Sequence, residues 1–352
     1  MKFALIGCGR IAKRHADLLG NKAIDGASLA AVCDIVPERA EALGTKFSVP
    51  WFTDMHELMR TIDVDAVSIL TESGLHAQHT IELAPYGKSI LVEKPMALTL
   101  ADADRMIEAC DLNGVRLFVI KQNRFNVPVV KLREALDAGR FGKLILGTVR
   151  VRWCRPQSYY DQAPWRGTWA MDGGVLTNQA SHHVDLLEWM MGDVESVQAM
   201  ATQALANIEA EDTAVVTLKF ANGALGIIEA TTAARPTDLE GSISILGENG
   251  TVVIGGVAVN KMETWRFTEE QAGDDEVMAR YSVNPPSVYG FGHQAYYEHV
   301  VEAHRNSTPH LVDGIKGRRS LELISAIYEA IETGRKVDLK FNPTYCRLGK
   351  AS

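Results

Sequence analysis

The stretch KFALIGCGRIA, residues 2–12, decides the fold of the first third of the chain. An apolar segment that suits a buried strand runs into a turn with two glycines, and helical periodicity follows through Leu19. Gly7 permits the tight turn, Gly9 keeps a Cβ away from a pyrophosphate, and the small Ala12 lets the helix pack against the strand. This order predicts a dinucleotide-binding unit, with the phosphates at the helix amino terminus.

Asp34 closes the next predicted strand, residues 28–33. A dinucleotide-binding unit carries at this place the acid that holds the adenosine ribose. Because a carboxylate accepts hydrogen bonds from a 2′-hydroxyl and repels a 2′-phosphate, Asp34 favours NAD over NADP. Arg39, in the following helix, suits a 2′-phosphate instead, or is a solvated surface charge.

Further predicted strands, residues 65–70, 89–92 and 116–120, alternate with predicted helices, residues 76–86 and 101–113. Such alternation gives parallel strands joined by helical crossovers. Ligands of an open α/β sheet bind beside the carboxyl ends of its strands. The candidate cofactor contacts there are Gly7, Gly9, Arg10, Ile11, Asp34, Thr71, Ser73, His76, Glu93, Lys94 and Gln122.

After residue 121 the pattern changes. Asn222-Gly223 and Asn249-Gly250 are hairpin signals, and residues 214–220 alternate between a fully apolar and a mixed face. The chain therefore reads as α/β, with a Rossmann NAD-binding domain over 1–121. An α+β domain for substrate binding and oligomerisation follows over 122–352, with a large open, mainly antiparallel sheet and a C-terminal segment able to pack back on the first domain.

Three finer expectations concern this second half. The mixed face of the 214–220 strand is expected to pack against a partner subunit or against helices of the same chain. The acidic, Pro- and Gly-rich stretch 268–292 is expected to be a loop, in which Tyr289 and His293 are candidates to close over the site. The last helix is expected at 318–333.

Composition bounds the function classes. The 352 residues suffice for two domains, and 36 basic against 44 acidic residues give a formal net charge of −8 without a basic block, which argues against nucleic acid. Five scattered cysteines favour a reducing cytoplasm over a disulfide framework. Neither a signal peptide nor a transmembrane run is expected, and the spacing of acids and histidines predicts no metal site.

Two segments carry groups suited to proton transfer. Lys94 follows a predicted strand end, where it reaches a substrate hydroxyl or remains an ordinary solvated lysine. Asn178, His182, Asp185 and Trp189 fall on one stripe at helical spacing. Such a polar stripe is either an active-site face or a hydrogen-bonded core network.

A third segment, residues 155–169, combines aromatic rings, guanidinium groups and amides. Aromatic rings cover sugar faces and arginine grips phosphate or carboxylate, so the segment suits a sugar nucleotide, while a packed loop at a subunit contact is the alternative. The candidate substrate contacts are Lys94, Arg155, Gln157, Tyr159, Tyr160, Arg166, Asn178 and His182.

Taken together, GCGRIA at 7–12, EKP at 93–95, WR at 165–166, DGG at 172–174 and the His182 stripe resemble the Gfo/Idh/MocA family of sugar oxidoreductases over nearly the whole chain. The resemblance implies NAD as cofactor, with Trp165 and Arg166 among its contacts, and a homotetramer. It also implies that Lys94 and His182, as the catalytic residues, sit beside the nicotinamide, whereas Glu93 shapes the cofactor site. Many members carry Asp where this chain has Asn178, so their aspartate relay is not expected here.

Within the family, the segments RPQSYYDQAPWRGTW and DGGVLTNQASHHVDLL resemble the branch that acts on UDP-N-acetylglucosaminuronic acid (UDP-GlcNAcA). This implies NAD-dependent oxidation of the C3 hydroxyl to a 3-keto sugar, in the synthesis of lipopolysaccharide O-antigen precursors, with His182 favoured over Lys94 as proton acceptor. NADH either leaves after each cycle or is reoxidised in place by a keto acid such as 2-oxoglutarate. Another sugar or inositol dehydrogenase, and a non-catalytic NAD-binding regulator, are the alternatives.

Overall fold

The computed structural model describes residues 1–282, 292–339 and 346–350. The chain divides into two compact units, one formed by Met1–Lys121 and His293–Leu321, the other by Gln122–Gly292 and Glu322–Ser352. Tyr289 lies outside the described residues. Within these residues, no helix is both long and apolar enough to cross a bilayer.

Strands and helices alternate through the first 121 residues, and strands outnumber helices between residues 144 and 267. The strands are β1 Lys2–Ile6, β2 Ser28–Cys33, β3 Trp51–Phe52, β4 Ala66–Ile69, β5 Ser89–Val92, β6 Leu117–Val119, β7 Leu144–Arg152, β8 Val194–Thr202, β9 Thr213–Phe220, β10 Leu225–Thr231, β11 Glu240–Gly247, β12 Gly250–Gly255, β13 Lys261–Phe267 and β14 Val337–Asp338. The helices are α1 Ala12–Gly20, α2 Pro37–Phe47, α3 Met55–Thr61, α4 His76–Leu83, α5 Leu100–Leu112, α6 Val127–Asp137, α7 Gln157–Tyr160, α8 Ser181–Met191, α9 Asp274–Arg280, α10 Gly292–Asn306 and α11 Gly314–Thr333.

The first unit contains the predicted Rossmann sheet. Its six strands are parallel, in the order β3-β2-β1-β4-β5-β6. Every residue of β4 and β5 is buried, as expected for central parallel strands covered on both faces. The order reverses beside β1, and α1 follows β1 directly, so the glycine turn lies where such sheets bind dinucleotides.

The second unit is built on an eight-stranded sheet in the order β13-β12-β11-β7-β10-β9-β8-β14. Only the β10–β7 pair is parallel among its described pairs, which confirms the prediction of a mainly antiparallel sheet. Both Asn-Gly turns join antiparallel neighbours, β9 to β10 and β11 to β12. Along β9 buried and exposed residues alternate, with Ala214 buried and Val215 exposed.

The stretch 268–292 is not all loop as predicted, because α9 lies within it. Three acidic residues, Asp274 to Glu276, occupy the first turn of α9, where they meet the positive end of the helix dipole. Arg140 also pairs with Asp274 at 2.6 Å and holds the pKa of that carboxyl well below its usual range. The last helix, α11, begins at Gly314, four residues before the predicted Arg318.

Candidate functional site

The glycine turn of the first unit fits a dinucleotide. Gly7 has a φ of +96°, and a Cβ there would lie 2.8 Å from the carbonyl of Leu70, so only glycine is accommodated. A Cβ on Gly9 would meet nothing within 4 Å, so the backbone there faces open space. Ala12, at the start of α1, is fully buried and allows the close packing that its small side chain predicts.

Asp34 lies just beyond the carboxyl end of β2, as predicted. Its carboxylate accepts hydrogen bonds from the backbone N–H of Cys8 at 2.7 Å and of Val36 at 2.8 Å. Each oxygen has a second acceptor position, which suits the hydroxyl groups of an unphosphorylated ribose. Arg39 is exposed to solvent. The residues in this part of the chain therefore fit NAD.

The Glu93-Lys94-Pro95 turn follows β5, and its Lys94–Pro95 peptide bond is cis. His76, predicted as a cofactor contact, is 1% exposed, with Nδ1 2.7 Å from the carbonyl oxygen of Pro95 and Nε2 3.1 Å from that of Thr71. The imidazole thus lies between the turn after β5 and the residues after β4, and a neutral ring donates to only one of the two carbonyls. Among the other predicted contacts, Thr71 hydrogen-bonds His79 through its hydroxyl and Ser73 is buried.

Glu93 does not reach solvent, because it points into a cluster with two histidines of the same unit. Its Oε1 lies 3.1 Å from Nε2 of His15 and 3.8 Å from Nε2 of His293. Burial raises the pKa of Glu93, but the two imidazoles outweigh that effect and hold the pKa well below its ordinary value. The ligand atoms of these three residues lie within 4.8 Å of one another, a geometry that could hold a metal ion.

The sequence pattern did not reveal this cluster. It points neither to His15 as a site residue nor to any partner for Glu93, and it places His293 in a loop over the site. In the structure His293 lies in α10, fully buried, and its ring meets that of His15 edge to face at 5.2 Å. One signal is present in the sequence: a histidine on the apolar face of α1, only three residues beyond Ala12.

In the second unit, the turn Gln122–Phe125 supports α8. Gln122 donates its amide N–H to Nε2 of His182 at 3.0 Å, so the proton of the neutral ring is assigned to Nδ1. Arg124 forms a bidentate ion pair with Asp185 at 2.7 and 2.9 Å, and its guanidinium lies 4.8 Å from the ring centre of Trp189. Asp185 is therefore a structural anchor, whereas Nε2 of His182 accepts the Gln122 amide N–H.

Asn178 was expected on the same helix stripe, and that expectation is wrong. The helix α8 begins at Ser181, and Asn178 lies in the turns before it, where its amide donates to the buried carboxylate of Asp172. The other oxygen of Asp172 accepts the backbone N–H of Gly167 at 2.9 Å. Because this buried acid forms a tight local turn, helical spacing does not extend back to residue 178.

The segment 155–169 separates into supporting and exposed groups. Arg155 pairs with Asp238 at 2.8 Å, and Tyr160 is buried with its hydroxyl 3.0 Å from that of Thr232. Arg166 donates to the hydroxyl of Tyr159 at 2.8 Å, and its guanidinium lies 4.6 and 4.7 Å from the ring centres of Tyr159 and Trp165. Gln157 is exposed and exchanges hydrogen bonds with the backbone of Asn207.

A second buried carboxyl, Glu211, was also missed. Its Oε1 accepts the backbone N–H of Leu176 and the hydroxyl of Tyr328, both at 2.9 Å. Among the residues that the structure describes, its Oε2 has no hydrogen-bond partner. Burial raises the pKa of Glu211 to about 7, although these two hydrogen bonds act in the opposite direction. The carboxyl therefore ties β9 to the turns that precede α8, near the boundary between its neutral and ionised forms.

Comparison with known proteins agrees with this geometry. Residues 1–121 match the family described as "Oxidoreductase family, NAD-binding Rossmann fold", and residues 133–339 match "Oxidoreductase family, C-terminal alpha/beta domain". The chain is therefore a two-domain oxidoreductase that uses NAD. It belongs to the Gfo/Idh/MocA family, and it is an NAD-dependent dehydrogenase of sugars or polyols.

Three relatives frame the choice of substrate. The WlbA dehydrogenase of Bordetella pertussis, in complex with NADH and UDP-GlcNAcA, is 42% identical with a TM-score of 0.89, covering 97% of this chain and 99% of that one. WlbA of Chromobacterium violaceum, with the same ligands, is 43% identical with a TM-score of 0.89, covering 96% and 95%. The myo-inositol 2-dehydrogenase of Thermotoga maritima is 30% identical over 347 residues, 97% of this chain and 99% of the relative.

Proposed function

We propose that the protein oxidises the C3 hydroxyl of UDP-GlcNAcA to a 3-keto sugar with NAD⁺. The observation that carries this proposal is the 42–43% identity, over nearly the whole chain, to two dehydrogenases solved with NADH and UDP-GlcNAcA. The inositol dehydrogenase is more distant, at 30%. A bound NAD⁺ supplies the acceptor for the hydride that leaves C3.

His182 and Lys94 are the proposed catalytic residues, with His182 transferring the proton. His182 accepts the proton of the 3-hydroxyl at Nε2 once that hydroxyl replaces the Gln122 amide N–H, which this nitrogen accepts in the structure. An ordinary imidazole is largely neutral at neutral pH and therefore suits a proton acceptor. An ordinary lysine is protonated at neutral pH, so Lys94 donates a hydrogen bond that stabilises negative charge developing on the oxygen. Asn178 stays a predicted substrate contact, although its amide donates to the Asp172 carboxylate in this structure.

The substrate carries a carboxylate and a diphosphate, and Arg166 is the better of the two proposed anion contacts. Arg155 is already paired with Asp238, whereas Arg166 has no carboxylate partner in the part of the chain that the structure describes. The Arg166 guanidinium lies beside the rings of both Tyr159 and Trp165. A fixed guanidinium with free N–H groups suits bidentate recognition of an anion.

The experiment is a nicotinamide absorbance assay. Purified protein and NAD⁺ receive UDP-GlcNAcA, with UDP-N-acetylglucosamine and myo-inositol in parallel. A rise in NADH limited to the uronic acid supports the proposal. A rise with myo-inositol alone contradicts it and favours an inositol dehydrogenase instead. Repeating the assay with 2-oxoglutarate tests that acid as the acceptor: oxidation of more than one sugar per site only in its presence, without a net gain of NADH, supports reoxidation in place.

A homotetramer remains part of the proposal, supported by one face of the second unit's sheet. Met200, Val215, Leu225 and Ile227 lie on three neighbouring strands, β8 to β10, and all are exposed. Contiguous apolar side chains on an open sheet face are typical of a subunit interface. Light scattering of the purified protein tests it, with Val215→Lys expected to dissociate the assembly.

A further inference from the structure

We propose that His15, Glu93 and His76 are positioning residues that fix the backbone on both sides of Lys94, an inference that rests on the role proposed above for that lysine. All three side chains are buried in the first unit, at 0%, 6% and 1% exposure. None of them is assigned to proton transfer. Together they form what we call the Lys94 clamp.

One half of the clamp is a chain of hydrogen bonds that ends at the N–H of Lys94. The Glu93 carboxylate only accepts, so Nε2 of His15, at 3.1 Å, carries the hydrogen. With the ring hydrogen assigned to Nε2, Nδ1 accepts from the hydroxyl of Tyr297 at 2.7 Å, and the Tyr297 oxygen accepts from Ser68 at 3.1 Å. The second oxygen of Glu93 accepts the Lys94 N–H at 3.0 Å.

The other half is His76. Burial lowers the pKa of His76, so the ring is neutral and has one N–H. The shorter contact, 2.7 Å from Nδ1 to the Pro95 carbonyl, is assigned that hydrogen, and Nε2 faces the carbonyl of Thr71. The Pro95 carbonyl, one residue beyond Lys94, is therefore held by His76 at the start of α4, just as the peptide unit before Lys94 is held by the Glu93 carboxylate.

These contacts fix the position of the Lys94 Cα atom, from which the side chain extends. Ser68 lies on β4, His15 on α1 and Tyr297 on α10, so rigid elements define the position of Glu93 and, through it, of Lys94. A lysine has a long flexible stem, and holding its Cα removes one source of misplacement of the ammonium group. Displacement of a catalytic group by about 1 Å can cost roughly 100-fold in rate.

A metal ion at His15, Glu93 and His293 is the competing explanation for the same cluster. The hydrogen bonds assigned to the clamp use both nitrogens of His15 and both oxygens of Glu93 without an ion. A cation would require the lone pair of His15 Nε2, which would then carry no hydrogen for Glu93. The two explanations therefore exclude each other, and elemental analysis of the purified protein separates them.

A double-mutant cycle tests whether the clamp acts through Lys94. Glu93→Gln is expected to lower kcat roughly 10- to 100-fold, with the KM for the sugar and the NAD⁺ dissociation constant changed less than about threefold. In a Lys94→Ala background the same substitution is expected to change kcat less than about twofold. The assay uses whichever of UDP-GlcNAcA and myo-inositol the wild type oxidises, so a wrong substrate does not decide the result.

Hydrogen exchange of the Lys94 amide, read by mass spectrometry, provides a measurement that needs no activity. Glu93→Gln and the milder Tyr297→Phe are expected to speed exchange of this amide, and Tyr297→Phe also covers the case in which Glu93→Gln does not fold. Tyr86→Phe is the matched control, because Tyr86 also hydrogen-bonds Nδ1 of a histidine, His56 at 3.0 Å, outside the clamp. It should leave both kcat and the Lys94 amide unchanged.

Three results would overturn the proposal. One is an unchanged exchange rate of the Lys94 amide in both variants. Another is an equal loss of kcat on Glu93→Gln with and without Lys94, or full activity of Lys94→Ala, because the clamp then does not act through that lysine. The third is a stoichiometric metal ion that is lost on Glu93→Gln.

Discussion

Glu93 in the first unit and Glu211 in the second are both more than nine-tenths buried, yet their pKa values move in opposite directions. Burial raises both. Glu93 has two imidazoles beside it and stays ionised. Glu211 has one amide N–H and one tyrosine hydroxyl, and its Oε2 has no partner within residues 1–282, 292–339 and 346–350. Burial alone therefore does not set the charge of an acid: the donors around it do.

Both carboxyls support segments that carry the proposed chemistry. Glu93 binds the backbone of Lys94, and Glu211 binds the turns that lead to the helix of His182. One support is a fixed charge and the other is a group that titrates near neutral pH. Substitutions around the two carboxyls should therefore differ in their effects on activity, on stability and on the pH dependence of stability.

The largest effect is expected from the two proposed catalytic residues themselves. Lys94→Ala and His182→Ala should each lower kcat roughly 100- to 1,000-fold, because each removes a group that we propose to act on the reacting hydroxyl. The measurement is steady-state NADH formation, with binding of NADH followed by fluorescence. Retained NADH binding excludes loss of the fold, and wild-type kcat in either variant would remove that residue from the mechanism.

Glu211→Gln tests whether the buried Glu211 carboxyl takes up a proton near neutral pH, unlike the ionised Glu93. The folded pKa, about 7, exceeds the unfolded value of 4.5, so the folded state binds more protons between these pH values and the stability that Glu211 contributes is lost as pH rises. At about 1.4 kcal/mol per pKa unit, wild type should lose about 3 kcal/mol from this group between pH 4.5 and pH 8. Urea unfolding at several pH values should show that the free energy of unfolding of the Glu211→Gln variant does not fall in this way.

Glu195→Gln is the control for that experiment, since Glu195 is exposed on β8 and pairs with Lys219. Its unfolding free energy should follow the wild-type pH curve. If Glu211→Gln also follows that curve, Glu211 is ionised throughout, and the contrast with Glu93 does not hold.

His183 should give a pH dependence of the opposite sign. Burial lowers its pKa from 6.5 to about 4, so the unfolded chain takes up a proton first and stability falls as pH drops below 6.5. At pH 5 this amounts to about 2 kcal/mol. His183→Leu should therefore resist acid better than wild type, whereas Leu in place of the exposed His304 should not.

The sequence predicted features that depend on near neighbours in the chain. The glycine turn, Asp34 at the strand end and both Asn-Gly hairpins follow local rules of backbone geometry, and all appear where expected. The buried clusters escaped prediction because their members meet only in the folded chain, as His15 and His293 do around Glu93. Spacing also failed at residue 178, where the buried Asp172 forms a turn that helical periodicity does not describe.

The smallest effect is expected on the KM for the anionic substrate, through the two arginines of the segment 155–169. Arg155 is neutralised by Asp238, whereas Arg166 retains donor groups beside two aromatic rings. Arg166→Lys should raise the KM for UDP-GlcNAcA roughly tenfold, about 1.4 kcal/mol, because lysine loses the planar bidentate fork. Arg155→Lys should raise it about twofold or less. Myo-inositol carries no charge, so its KM should respond equally to both substitutions, and a larger effect of Arg155→Lys on the anionic substrate would reverse the assignment.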